Sequence, residues 1–181
     1  MFGLGITLFI RADLGLAPWD VFHKGLSNKL DLSIGVVIIG VGLLLLLLWI
    51  PLRQKPGIGT ILNALEIGFT VNLFKPLIGE PHNLVARLAL VGAALVSVAL
   101  GSALYIGAAL GPGPRDGLML GLAEKGVSVR VARTAVEATT LVAGVLLGGK
   151  VGVGTVVFMV GIGPLVQLLL PRFDIRPPES R

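Results

Sequence analysis

The chain reads as long apolar blocks separated by short polar or Gly/Pro-rich stretches. The blocks at 33–52, 57–78, 84–110, 129–148 and 151–170 approach or exceed the roughly 18–20 residues that cross a bilayer as a helix. Six successive leucines, Leu43 to Leu48, mark the first of these as a span, with Trp49 near its end as interfacial aromatics often are. Residues 1–12 form a shorter apolar block, and 18–29 and 114–125 read as two short helices. Twelve helical residues rise only about 18 Å, less than the ~30 Å of hydrocarbon. Arg53-Gln54-Lys55-Pro56 is a tight turn, Glu80-Pro81-His82-Asn83 joins two halves, and 172–181 is a polar tail containing Pro177-Pro178.

The two short helices each follow a break. Gly111-Pro112-Gly113-Pro114-Arg115-Asp116 interrupts one apolar run, and Gly15-Leu16-Ala17-Pro18-Trp19-Asp20 carries Gly, Pro and Asp at the same places 96 residues earlier. The match extends both ways. Gly5, Leu8, Ile10, Ala12 and Leu14 meet Gly101, Leu104, Ile106, Ala108 and Leu110, and Gly25-Leu26 meets Gly121-Leu122. After a one-residue slip the offset is 95: Gly57-Ile58-Gly59-Thr60 meets Gly152-Val153-Gly154-Thr155, Gly68 meets Gly163, and Pro76 meets Pro171. Such self-similarity defines an internal repeat.

The expected fold is therefore an all-α polytopic membrane protein, a single membrane domain of two repeats over 1–79 and 84–172 with a tail at 173–181. Each repeat has a long helix, a short broken or half-membrane helix and two spanning helices. The first helix of repeat one is about 13 residues shorter than its counterpart from Leu84, which predicts a truncated or natively stubby start. Residues 1–10 lack a basic n-region and a small-residue cleavage site, so no cleavable signal peptide is expected there. Helix length favours short helices that do not cross, which leaves three long segments per repeat and inverts the second. Charge favours the opposite: if the short helices cross, one side collects ten Lys and Arg and the other five, as parallel repeats and the positive-inside rule would have it. Both senses stay open.

Leu14-Gly15-Leu16-Ala17-Pro18-Trp19-Asp20-Val21, Gly25-Leu26-Ser27, Pro56-Gly57-Ile58-Gly59-Thr60 and the second-copy Gly-Pro-Gly-Pro-Arg-Asp-Gly-Leu-Met resemble the YczE branch of the YitT-like bacterial membrane proteins. The resemblance covers nearly the whole chain. It implies a multi-pass protein of the bacterial inner (plasma) membrane and no particular biochemical activity. Members of that branch begin with a fuller first helix than this chain has.

Composition narrows the partners. The chain is 54% hydrophobic and 14% charged with mean hydropathy +0.92, against about a quarter charged in soluble domains. Its +5 charge is scattered between the apolar blocks, which suits basic loops beside a bilayer and not nucleic-acid binding. Without cysteine there is no disulfide, thiolate metal site or thiol chemistry. Expected partners are the lipid bilayer and an unknown small molecule or ion, with a second copy or another membrane protein left open.

Broken helices at matching places in two repeats point to a transporter's central site, because freed backbone groups must be buried or line a polar cavity. The candidate substrate- or ion-binding residues are Asp20, Asp116, Arg115, Arg11 and Glu66, with Gly15, Pro18, Gly111, Pro112, Gly113 and Pro114 forming the breaks. Ionisable groups inside a membrane tend to mark ion or substrate paths. Asp20 and Asp116 equally suit the first turn of a helix as caps. Arg133 and Glu137, four apart, read as neutralising each other. Asn63, Asn72, Gln167, Thr60 and Thr155 read as interhelical hydrogen-bonding groups. His23 and His82 sit at no metal-ligand spacing, Gly148-Gly149-Lys150 lacks the rest of a phosphate loop, and no nucleophile–base set is present. The expectation is thus no enzyme, no metal and no cofactor. It is a small permease, or alternatively a non-transporting scaffold or accessory protein of a larger assembly.

Overall fold

A computed structural model describes residues 1–174 of the 181, and the end of the polar tail, including Pro177-Pro178, lies outside the described residues. The described residues form helices without strands: α1 Phe2–Ala12, α2 Pro18–Leu30, α3 Ile34–Leu52, α4 Ile58–Phe74, α5 Leu84–Gly107, α6 Pro114–Glu124, α7 Val129–Leu146 and α8 Val153–Phe173. Three of them, α3, α5 and α8, have both the length (19, 24 and 21 residues) and the hydropathy to cross a membrane. α4 is apolar but has 17 residues, and α7 carries Arg130, Arg133 and Glu137.

Two helices end earlier than the apolar blocks suggest. α4 stops at Phe74: Lys75 still donates to the Val71 carbonyl (3.0 Å), and Pro76 then lacks the N–H to continue the ladder. α5 stops at Gly107, and Ala109 takes a left-handed conformation (φ 52°) that turns the chain into the break. Starts are set by caps. Ser33, Asn83 and Ser128 accept from the amides of Val36, Ala86 and Val131. At Gly57 and Gly152 the amide instead donates to the hydroxyl three residues on, Thr60 (3.1 Å) and Thr155 (3.2 Å).

The centre is a pair of antiparallel helices. Gly5 of α1 lies against Ala94 and Val98 of α5, and Gly101 lies against Phe2. α4 runs alongside α1 in the same direction, with Gly3 against Ile67 and Thr70 and the Arg11 guanidinium on the Lys75 carbonyl. α8 runs alongside α5 in the same direction, with Gly161 against Leu95 and Gly107 against the Phe173 carbonyl. Buried side chains gather at these seams: Phe9, Val91, Ala94 and Val98 in one cluster, Ile6, Ile34, Ile38, Ile67 and Val71 in another.

The short helices dock on the turns of the opposite helix pair. α2 packs on α7. Leu14 and Gly15 before it lie against Gly152 and Gly154, and Gly25 within it lies against Gly144, Leu147 and Gly149. α6 packs on α3. Leu110 before it lies against Gly57 and Gly59, and Gln54 donates to Glu124 at its end (2.7 Å). Segment 13–30 thus meets the α7–α8 turn at both ends, and segment 108–124 meets the α3–α4 turn at both ends.

The helix pairs behind those turns differ. α3 and α4 pack along their length, and a side chain at Gly35 would run into the Gly68 carbonyl and the Asn72 amide. α7 and α8 share a turn but splay apart, and are not a packed pair. A methyl at Gly163 would meet nothing within 4 Å.

Candidate functional site

The breaks form because their glycines take backbone that other residues adopt only with strain. Gly15 and Gly111 sit at φ 107° and 115°. Each lies against the other half, Gly15 on Gly152 and Thr155, Gly111 on Gly57 and Thr60, too closely for a side chain. The freed carbonyls are claimed there. Gly154 N–H donates to Leu14 C=O (2.7 Å), and Gly59 N–H donates to Leu110 C=O (2.9 Å). The Thr60 hydroxyl donates to Pro112 C=O (2.7 Å). Pro18 and Pro114 then start α2 and α6, where a missing amide hydrogen costs nothing.

Both helix starts face one central cavity of about 310 Å³. Ala17 and Pro18 line it from one break, Gly113 and Pro114 from the other. Asp20, Arg115 and Asp116 all line it. Asp20 is buried, at 2% exposure, while Asp116 is exposed. Asp20 Oδ1 accepts from His23 Nδ1 at 3.3 Å and lies 3.9 Å from Arg115 Nη2. The Arg115 guanidinium stands 4.8 Å from the centre of the Trp19 ring, a cation–π contact. Trp19 and Arg115 each follow the proline that starts their short helix, so the two helix starts meet through these residues. The Trp19 indole N–H is buried without an acceptor among the described residues.

Asp116 is held differently. Tyr105 Oη donates to its Oδ2 (2.5 Å) and accepts from the Gly113 amide. Neither short helix has a side-chain cap: the N-cap residues are Ala17 and Gly113, and the two carboxylates bond to side chains instead. From α7, Arg133 Nε donates to Glu137 Oε1 (3.0 Å), and both residues line the cavity, as do Asn63 of α4 and Gln167 of α8. The remaining wall is largely apolar, including Ile6, Ile38, Val41, Ile67 and Val98.

Two sequence candidates lie elsewhere. Arg11 bonds the Lys75 carbonyl and pairs with Glu80 (2.7 Å) at the end of α4. Glu66 is exposed on α4 and accepts from the Thr70 hydroxyl one turn on (2.7 Å). Sequence reasoning missed His23 and Tyr105. His23 carried a faint signal, three residues after Asp20 and so on the same helical face. Tyr105 lies inside an apolar run opposite Phe9 and carried none.

A family model, the family of unknown function DUF6198, matches residues 1–171. The chain belongs to that family. Two of its relatives are from Bacillus subtilis. The "uncharacterized membrane protein YczE" is 32% identical over 173 residues, covering 94% of this chain and 80% of that one, which places the chain in the YczE branch. YyaS is 30% identical over 174 residues, covering 93% and 86%. An uncharacterized protein of Haemophilus influenzae is 34% identical over 169 residues, covering 93% and 78%. No solved structure matches. Family and helical spans together make this a membrane protein.

Proposed function

We propose that the chain is a small multi-pass permease of the bacterial inner membrane, without enzymatic activity, whose substrate site is the cavity between the two helix breaks. The observation that carries this reading is that cavity, entered by the starts of both short helices and holding Asp20, Arg115 and Asp116. Irregular backbone at membrane depth is tolerated where it is buried or lines a polar space.

Inverted repeats fit best. α1 and α5 are equivalent in sequence and antiparallel in space, which a two-fold axis in the membrane plane produces. α2 and α6 then enter and leave on one side each, as half-membrane elements. The splay between α7 and α8 opens the cavity towards the side of the α3–α4 turn, while the equivalent α3–α4 seam is shut. An alternating-access cycle would exchange those two states.

The competing reading is a scaffold that moves nothing, and the tight packing of the break loops on the opposite turns favours it. Asp20→Asn and Asp116→Asn separate the two, measured for folded yield and for rescue of a strain lacking the gene. A permease site should give normal yield and lost rescue. Normal yield with full rescue by both variants refutes a role for these carboxylates in transport.

A further inference from the structure

We propose that the central cavity takes a small organic cation of single positive charge. Arg115 is its tethered stand-in, filling the slot between the Trp19 ring and the Asp20 carboxylate until the ligand displaces it. This deepens the permease reading and rests on the cavity being the substrate site.

Charge balance comes first. The acids lining the cavity are Asp20, Asp116 and Glu137, and the arginines are Arg115 and Arg133, with His23 hydrogen-bonded to Asp20. Arg133 and Glu137 pair with each other at 3.0 Å. Arg115 is left to serve two carboxylates, its nearest approach being 3.9 Å to Asp20. Among the side chains lining the cavity one carboxylate is thus in excess, the exposed Asp116. A single monovalent cation restores neutrality.

The position of Arg115 supports the second half. It sits in the first turn of α6, where the helix dipole disfavours a cation. Helix stability therefore does not account for it. Its guanidinium lies on an indole face beside a buried carboxylate, the arrangement by which proteins recognise organic cations. The site holds a cation now, and that cation is part of the chain. The unpaired Trp19 N–H belongs to the same ring and offers one donor to an oxygen on the ligand.

The walls decide between an organic cation and a metal ion. Hard cations require several oxygen ligands. Among the described residues no three His, Asp or Glu side chains converge into a metal-holding set. The cavity walls instead present Trp19, Ile6, Ile38, Val41 and Val98, which suit alkyl or planar apolar surface. About 310 Å³ is at the small end of ligand pockets, so the ligand is small.

The test titrates tetramethylammonium and methylguanidinium chloride into the full chain in nanodiscs, against sodium chloride and sodium acetate at equal ionic strength, read by calorimetry and melting temperature. Both organic cations should bind saturably and the controls should not. Arg115→Gln, which empties the slot, should bind them about tenfold more tightly or better. Asp116→Asn, which removes the excess charge at an exposed position, should abolish binding at normal folded yield. Saturable binding of acetate alone, no cation binding by wild type and Arg115→Gln, or weaker binding by Arg115→Gln would overturn the proposal. Should Arg115→Gln not fold, unchanged affinity in Asp116→Asn overturns it just as well. Cation binding without uptake into proteoliposomes leaves the site standing and refutes the permease reading. Uptake of a neutral solute without cation binding does the reverse.

Discussion

The α3–α4 and α7–α8 pairs each follow a short broken helix, yet one is closed and the other open. Where the pairs differ, the sequence supplies the reason. Gly35, Gly42 and Ala64 let α3 and α4 backbones touch, with Gly42 and Ala64 in van der Waals contact. Small residues at such places are what close packing in lipid requires. At 95 residues on, the same positions hold Arg130, Glu137 and Met159. Gly163 is kept opposite Gly68, but its partner face is now charged and bulky. The two helix pairs thus differ where their helices meet, and residues of the splayed pair, Arg133, Glu137 and Gln167 among them, line the cavity.

Cross-linking sharpens this most, because it is close to all-or-none and the chain has no cysteine background. A Cβ at Gly42 lies 3.5 Å from that of Ala64. That is within the ~3.5–4.5 Å span of a disulfide. Gly42→Cys with Ala64→Cys should cross-link almost completely under mild oxidation. Glu137→Cys with Met159→Cys should remain largely free in the state described here. Equal cross-linking of both pairs would erase the comparison.

Next in size is the seam itself. Gly35→Val drives a side chain into the Gly68 carbonyl, and overpacking of this kind costs about 1–3 kcal/mol or more. Gly163→Val meets open space, and its effect should stay within about 0.5 kcal/mol. Melting temperatures of the two variants in the same detergent check this, and a larger loss at Gly163 would contradict it.

The smallest effect concerns the hydroxyls. Thr60 accepts from Gly57 and donates to Pro112, while Thr155 accepts from Gly152. Thr60→Val loses two part-buried hydrogen bonds and Thr155→Val one, at about 0.5–1.5 kcal/mol each, so the two variants should differ by only one such bond. Thr60→Val should therefore lower the melting temperature about twice as far. The reverse order would show that the Pro112 contact contributes nothing.

These differences explain how far the sequence could be read. Helix count and breaks were legible, since apolar block length, Pro18, Pro114 and the two positive-φ glycines act locally. Asp20 and Asp116 drew notice because each stands two residues after the proline of its break, and both line the cavity. The contact between Trp19 and Arg115 was not legible, because it depends on how the two short helices face each other. Arg11 and Glu66 were drawn in as charges within apolar blocks, yet each finds a partner near the end of, or along, α4. The splay of α7 from α8 follows from small residues replaced by large ones, a signal that matters only once the pairs are known to be neighbours.

The amide-to-carbonyl links at the breaks bear on how the protein is made. Gly59 waits on Leu110, and Leu14 waits on Gly154, which leaves the ribosome 140 residues later. Until then a half-formed molecule carries an unpaired backbone donor at Gly59 and an unpaired acceptor at Leu14. α8 closes the loop before α2, so a chain that stops short of α8 leaves the Leu14 carbonyl without its partner.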